Sequence, residues 1–249
     1  MVKTSPDGTI TISLTLPWSE IQAAYQNHLK RHAQTIEIKG FRKGKAPLDT
    51  GEKTLGKSKL YQHAFSQVFF TTYAQTVQDN HLKPLIAPQV KALDSQEGKD
   101  WQIEATTAQA PQFNLGDYQQ YLKGKKKLEV IFDTLLQHIQ FSVSPVLIDE
   151  EKSRALAKLL DQVNHLGLTI DQYLSGLGKT TDQIQAEYAL TATTNLKLEF
   201  ILQAIAENLK ITPSQAEIDQ FIAKSPNTPK AYITAILTKR LTVDAFLKL

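Results

Sequence analysis

The spacing of apolar positions changes character near the middle of the chain. Ile10, Ile12, Leu14 and Leu16 alternate with Thr11, Ser13 and Thr15, the two-residue period of a half-buried strand. Ser5-Pro6-Asp7-Gly8 before it reads as a tight turn, which makes residues 1–4 a candidate partner strand. Ser19, with Gln22 three residues on, is a plausible cap for a helix whose stripe runs Ile21, Tyr25, Leu29, Ala33 and Ile36. A second helix is predicted from about Ser58 to Asp79, with Tyr61, Phe65, Val68, Phe69, Tyr73 and Val77 on one face. Pro84 and Pro88 close it, and strands follow around 86–93 and 101–107, joined by the polar stretch 94–100.

Beyond residue 127 every segment has a helical period. Leu128, Ile131, Leu135 and Ile139 start one helix. Ser144-Pro145 and Thr212-Pro213 read as caps followed by proline in the first turn, and Thr169 with Gln172 opens a short helix. Thr181 starts a long helix carrying Ile184, Tyr188, Leu198, Leu202, Ile205 and Leu209; the last begins after Thr228-Pro229, with Ile233, Ile236, Leu237 and Leu241. Pro111, Gly116, Gly124 and several lysines interrupt any periodicity between the halves. The expected architecture is an α+β N-terminal domain over 1–110 (a small sheet, two helices and a protruding loop), a linker over 111–127, and an all-α domain over 128–249.

Composition narrows the function classes. With 249 residues, 41% hydrophobic and 21% charged, the chain has neither a disordered nor a membrane-embedded composition, and no run of about 18 apolar residues exists. The start lacks the apolar stretch of a secretory signal, so a cytoplasmic location is expected. The absence of cysteine removes disulfides, thiolate nucleophiles and Cys-based zinc sites. The net charge of +3 is unevenly placed: +2 over residues 1–122, +4 over 123–127 and −3 beyond, so an anionic partner should meet the first half or the lysine cluster. That cluster, Lys123 with Lys125, Lys126 and Lys127, reads first as a solvated tether and second as a docking site.

Catalytic signals are poor. His28 and His32 share a helix flank, but no Glu follows His28 and no third ligand is evident, so they are expected to face solvent. Asp149-Glu150-Glu151 fits the first turn of a helix, where the dipole favours negative charge. There is no G-x-S-x-G elbow and no glycine-rich phosphate loop. No cofactor, metal or catalytic residue is expected.

The informative stretch is Ile38-Lys39-Gly40-Phe41-Arg42-Lys43-Gly44-Lys45-Ala46-Pro47. Four cations fall in seven residues, two glycines permit sharp turns, and Phe41 sits among charges where no core readily claims it. A helix ends before it and Pro47 can start another, so the loop is expected to project. Arg42, Lys43 and Lys45 would attract phosphate or acidic side chains, while Phe41 buries or stacks. On composition alone an ordinary exposed turn is the simpler reading; the residue order changes that.

Gly-Phe-Arg-x-Gly-x-x-Pro, placed about forty residues in, resembles the ribosome-binding signature of the bacterial trigger factor family. The strand and helix before it and the helix-strand-strand order after it match the family's N-terminal domain. Gly167-Leu168-Thr169-Ile170-Asp171-Gln172-Tyr173-Leu174, Gly178-Lys179-Thr180-Thr181, Leu198-Glu199-Phe200-Ile201-Leu202 and Ile211-Thr212-Pro213 look like its helical C-terminal domain. Most members carry an FKBP-like prolyl isomerase domain between these parts; here 111–127 joins them directly, and no isomerase residue is carried over.

The resemblance implies an ATP-independent chaperone with arm-like helix pairs. It would dock beside the nascent-chain exit of the large ribosomal subunit (protein and rRNA) through Gly40, Phe41, Arg42, Lys43, Gly44, Lys45 and Pro47. Its other partners would be unfolded or nascent polypeptides, without a membrane; a homodimer off the ribosome stays open. Because Met1 is the only methionine, client contact is expected to rest on Leu, Ile, Phe and Tyr with the amides of Gln, and to be weak. Three other classes remain: an RNA-binding or ribosome-assembly protein, disfavoured by the −3 helical half; a periplasmic SurA-like chaperone, which should have an export signal and lack the 40–47 loop; and an enzyme of unrecognised type, whose simplest form a proline-isomerisation screen on a short peptide would reveal.

Overall fold

The computed structural model describes residues 1–35, 47–225 and 227–246. It divides into two compact units, Met1–Thr4 with Ile10–Gln109, and Ser5–Thr9 with Ala110–Leu249.

The first unit is α+β. Strand β1 (Val2–Thr4) pairs antiparallel with β2 (Thr9–Leu16) in the register Val2 to Ile12 and Thr4 to Ile10. The Ser5–Gly8 turn between them closes with Gly8 N–H donating to the Ser5 carbonyl at 3.0 Å, and Gly8 takes the positive φ of 88° that the turn requires. Helices α1 (Trp18–Thr35), α2 (Leu48–Leu55) and α3 (Lys57–Asp79) follow, then β3 (Gln89–Asp94) and β4 (Trp101–Ala108). The sheet order is β1-β2-β4-β3.

Three local outcomes differ from the pattern-based expectation. Helix α1 starts one residue before Ser19, because the Pro17 carbonyl accepts from Glu20 and Ile21 N–H while the Asp100 carboxylate takes Trp18 N–H at 2.9 Å. The short α2 stands between the basic segment and α3, as an additional helix. Strand β3 begins only at Gln89, since Pro88 has no N–H to offer the ladder, although Leu85 N–H still donates to the Ala108 carbonyl at 2.7 Å.

Alternation along β2 buries Ile10, Ile12, Leu14 and Leu16, and β4 does the same with Trp101, Ile103 and Ala105. These side chains meet Ile21, Ala24, Tyr25 and Leu29 of α1 and Leu60, Ala64, Val68 and Phe69 of α3 in one core.

The second unit is all-α: α4 (Tyr118–Leu122), α5 (Leu128–His138), α6 (Pro145–His165), α7 (Ile170–Leu177), α8 (Thr181–Asn208), α9 (Gln215–Lys224) and α10 (Lys230–Phe246). Helix α8 packs against α5, α6 and α10, and α9 pairs with α10. The start of α9 shifts from the expected Thr212-Pro213 to Ser214, which forms a complete capping box with Glu217. Thr169 with Gln172 and Thr180 with Gln183 make the same box for α7 and α8.

Residues 111–127, which show no periodicity, contain α4, capped by the Asp117 side chain accepting from Gln120 N–H. Tyr118 and Leu122 are buried with Ile131, Leu135, Ile139, Ile201, Leu202, Ile205 and Phe246. Five residues hold too little sequence for a helical period to register. Leu122→Ala should therefore cost about 2–5 kcal/mol of stability in chemical denaturation, as a buried leucine does, whereas Leu128→Ala at the exposed start of α5 should cost no more than about 0.5 kcal/mol.

Candidate functional site

The Gly40–Lys45 motif lies outside the described residues; of the expected docking residues only Pro47 is described, and it is exposed. What the structure defines is the base from which residues 36–46 depart. Helix α1 ends at Thr35, and Pro47 sits at the cap of α2, its carbonyl accepting from Thr50 and Gly51 N–H at 3.1 and 3.2 Å. Gly51 faces Ala33 so closely that a Cβ added there would stand 3.4 Å from the Ala33 Cβ. The first turn of α2 therefore lies against the last turns of α1, and both ends of the basic segment are held side by side.

Aromatic groups secure that base. The Tyr25 hydroxyl of α1 donates to Glu52 Oε1 of α2 at 2.6 Å, and its ring lies 4.6 Å from that of Tyr61 on α3. Trp18, Tyr61, Phe65 and Trp101 continue the cluster, with ring separations of 6.0–6.4 Å. Burial, followed by the nearby Glu52 carboxylate, pushes the Tyr25 phenol up beyond the usual tyrosine range. Burial, then Glu97, pushes that of Tyr61 from 10.0 up to about 12.

The reading of His28 and His32 as solvent-facing is corrected. Both are half-buried, and their Nε2 atoms are shielded from water without a hydrogen-bond partner; His63 of α3 stacks on the His28 ring at 5.4 Å. Helix α3 covers the flank that the sequence left open, and a helical wheel of α1 alone cannot show that. Among the described residues no group of three or more His, Asp or Glu is arranged to hold a metal ion.

The helical unit offers a different kind of surface. Leu166 and Leu168, on either side of Gly167 in the turn between α6 and α7, are exposed, and so is Leu177 at the end of α7. Leu190 on α8 is 70% exposed and Tyr232 on α10 is 61% exposed, so these chains are outside any core. Beneath the α6–α7 turn lies a small core of Leu159, Val163, Leu174 and Ile184. Sequence periodicity passed over the exposed leucines because most share the helical register of buried ones. The signal that could have found Leu166 and Leu168 is their place beside a glycine with φ of 72°, between two helices.

In structural terms the chain is an α+β unit with a braced helical base, followed by an all-α unit that keeps large apolar side chains in water. Residues 1–140 match the family model described as bacterial trigger factor protein, and residues 116–231 match that of the trigger factor C-terminus. The chain belongs to the bacterial trigger factor family. The two matches overlap over 116–140, so the N-terminal and C-terminal parts of the family follow each other here with no module between them.

The trigger factors of Staphylococcus aureus strains JH9, Newman and Mu50 are each 29% identical over 162 residues, 65% of this chain and 37% of theirs. The chain thus spans little more than a third of the length of these curated relatives. A solved structure from work on promiscuous substrate recognition in folding and assembly activities of the trigger factor chaperone aligns with a TM-score of 0.65. That alignment covers 100% of this chain and 99% of that one at 10% identity, which bears on the fold alone.

Two outcomes follow from the braced base. Tyr25→Phe removes a short bond to a carboxylate and should lower stability by about 1–2 kcal/mol in urea denaturation. A phenol whose folded pKa is raised stabilises the fold fully below the unfolded value of 10.0, and that contribution is lost as pH rises toward about 12. Circular dichroism in an alkaline titration should therefore show the first unit weakening above pH 10.0, and Tyr61→Phe should blunt the loss.

Proposed function

We propose that the protein is an ATP-independent chaperone of the cytoplasm that docks at the nascent-chain exit of the large ribosomal subunit through Gly40–Pro47 and shields unfolded polypeptide with its helical unit. The observation that carries the reading is family membership across residues 1–140, the stretch that holds the Gly-Phe-Arg-x-Gly-x-x-Pro motif. In this reading residues 1–110 bind the ribosome and residues 128–249 hold the client.

Phe41 supplies apolar docking area, while Arg42 and Lys43 steer and orient the approach to rRNA phosphate and acidic protein side chains. The braced ends at Thr35 and Pro47 reduce the entropy lost when such a segment docks. Client contact falls to exposed leucines and Tyr232: each offers apolar area without a preformed pocket, so each contact is weak and replaceable. Release follows when the client buries its own apolar groups. No nucleotide takes part, no isomerase chemistry is invoked, and a homodimer off the ribosome belongs to the same reading.

Co-sedimentation with ribosomes tests the docking half: F41A/R42A/K43A should leave the pellet while wild type remains in it, and equal pelleting of the two would remove the claim. A light-scattering assay with a denatured client tests the other half. Leu166→Ser, Leu168→Ser and Leu177→Ser together should weaken suppression of aggregation several-fold without loss of helicity, since all three side chains are exposed. Short unfolded peptides should bind in the micromolar range, about −8 kcal/mol, and nanomolar binding would contradict the weak-contact reading. The isomerisation of a proline-containing test peptide should proceed at its uncatalysed rate.

A further inference from the structure

Residues 123–127 hold four lysines and no acid, and they occupy the segment in which the two family matches overlap. Lys123, Lys126 and Lys127 are exposed and Lys125 is half-buried. Among the described residues none of the four has a carboxylate within 4.0 Å, although Lys152, Arg154, Lys179 and Lys239 of the same unit all do. The acid nearest in sequence, Glu129, lies in the first turn of α5, where the helix dipole already accounts for it.

The backbone around these lysines is ordered by packing. Leu122 is fully buried immediately before Lys123, and Lys125 N–H donates to the Leu122 carbonyl at 3.0 Å. Ile131 N–H donates to the Lys127 carbonyl at 3.0 Å, which ties the other end of the run to α5. A merely flexible tether would have neither anchor. The charge is thus concentrated on a short, positioned strip.

Beside the strip lies a second feature with a different chemistry. The Tyr121 ring stacks on that of His138 at 4.1 Å and 13°, and both residues are exposed. A flat pair of rings at the surface, next to a run of cations, matches the two demands of an unpaired nucleic-acid strand: phosphates need positive charge, and unstacked bases need an aromatic face. An anionic lipid surface would use the lysines and the exposed Leu128 and Val130 but would gain nothing from stacked rings.

We propose that Lys123–Lys127 with the Tyr121–His138 pair form an RNA-binding strip that takes single-stranded or looped RNA, separate from the Gly40–Pro47 segment. It lies wholly within the second unit and needs nothing from the first. The net −3 of residues 128–249 limits the interaction to this strip, so binding should be modest and steeply salt-dependent.

The test uses the full chain carrying K39A/F41A/R42A/K43A/K45A, so that the proposed docking segment cannot supply the signal. Fluorescence anisotropy with a short labelled oligoadenylate should show binding by this chain. Adding K123Q/K125Q/K126Q/K127Q should weaken binding at least about tenfold at low salt. It should also reduce the slope of log K against log salt by roughly 2–3, near 0.7 for each phosphate that is no longer neutralised. Tyr121→Ala should weaken binding about fivefold and leave the slope unchanged, the signature of missing stacking rather than missing charge. Circular dichroism checks that each variant keeps its helices. Binding unaffected by the four glutamines would overturn the proposal. So would lysine-dependent binding to phosphatidylserine vesicles with none to RNA. If ribosome pelleting fails while oligoadenylate binding behaves as expected, the docking reading falls and this one stands.

Discussion

The first unit depends on the aromatic clamp between α1 and α3. Tyr25 and Tyr61 lie 4.6 Å apart, and Trp18, Phe65 and Trp101 complete the cluster against the sheet. An aromatic side chain buries a large area with only two torsions to immobilise, so a few rings hold a helix at low entropic cost. With α1 held, Ala33 has a fixed position, Gly51 can approach it, and α2 lies alongside. Every step toward the ends of the basic segment inherits its position from those rings. Because the clamp also buries two phenols near carboxylates, the same arrangement that gives rigidity makes the unit sensitive to alkali.

The second unit solves a different problem. Its exposed leucines and Tyr232 keep apolar groups in water, which takes area away from the core. The small clusters under α6–α7 and between α9 and α10 reflect this: four buried residues in one, three in the other. Local bonding compensates. Three helices open with complete capping boxes, each joining a Ser or Thr to a Gln or Glu three residues on. Each cap contributes about 1 kcal/mol without requiring any tertiary contact. Helix α8, stabilised at its own start, carries Leu190 outward.

Among the described residues of the second unit, Lys179 pairs with Glu187 of α8 and Lys239 of α10 with Glu199 of α8, while the four lysines of 123–127 have no carboxylate within 4.0 Å. Surface pairs of this kind contribute little to stability.

The strand alternation of Ile10–Leu16, the faces of α1 and α3, the Thr169 cap of α7 and the start of α8 at Thr181 were legible in the sequence, because each depends on residues within one or two turns of each other. The basic motif was legible for the same reason: its chemistry is contiguous, and residue order alone carried the family resemblance. Other features depended on what packs from elsewhere in the chain. His28 and His32 lost their solvent to α3, Tyr118 and Leu122 found a core made by α5, α8 and α10, and Trp18 N–H was capped by Asp100 at the start of the neighbouring strand β4. Burial is a property of the neighbour as much as of the residue. A leucine at a core-like spacing therefore became core or exposed surface only when the tertiary structure settled whether another helix covered it.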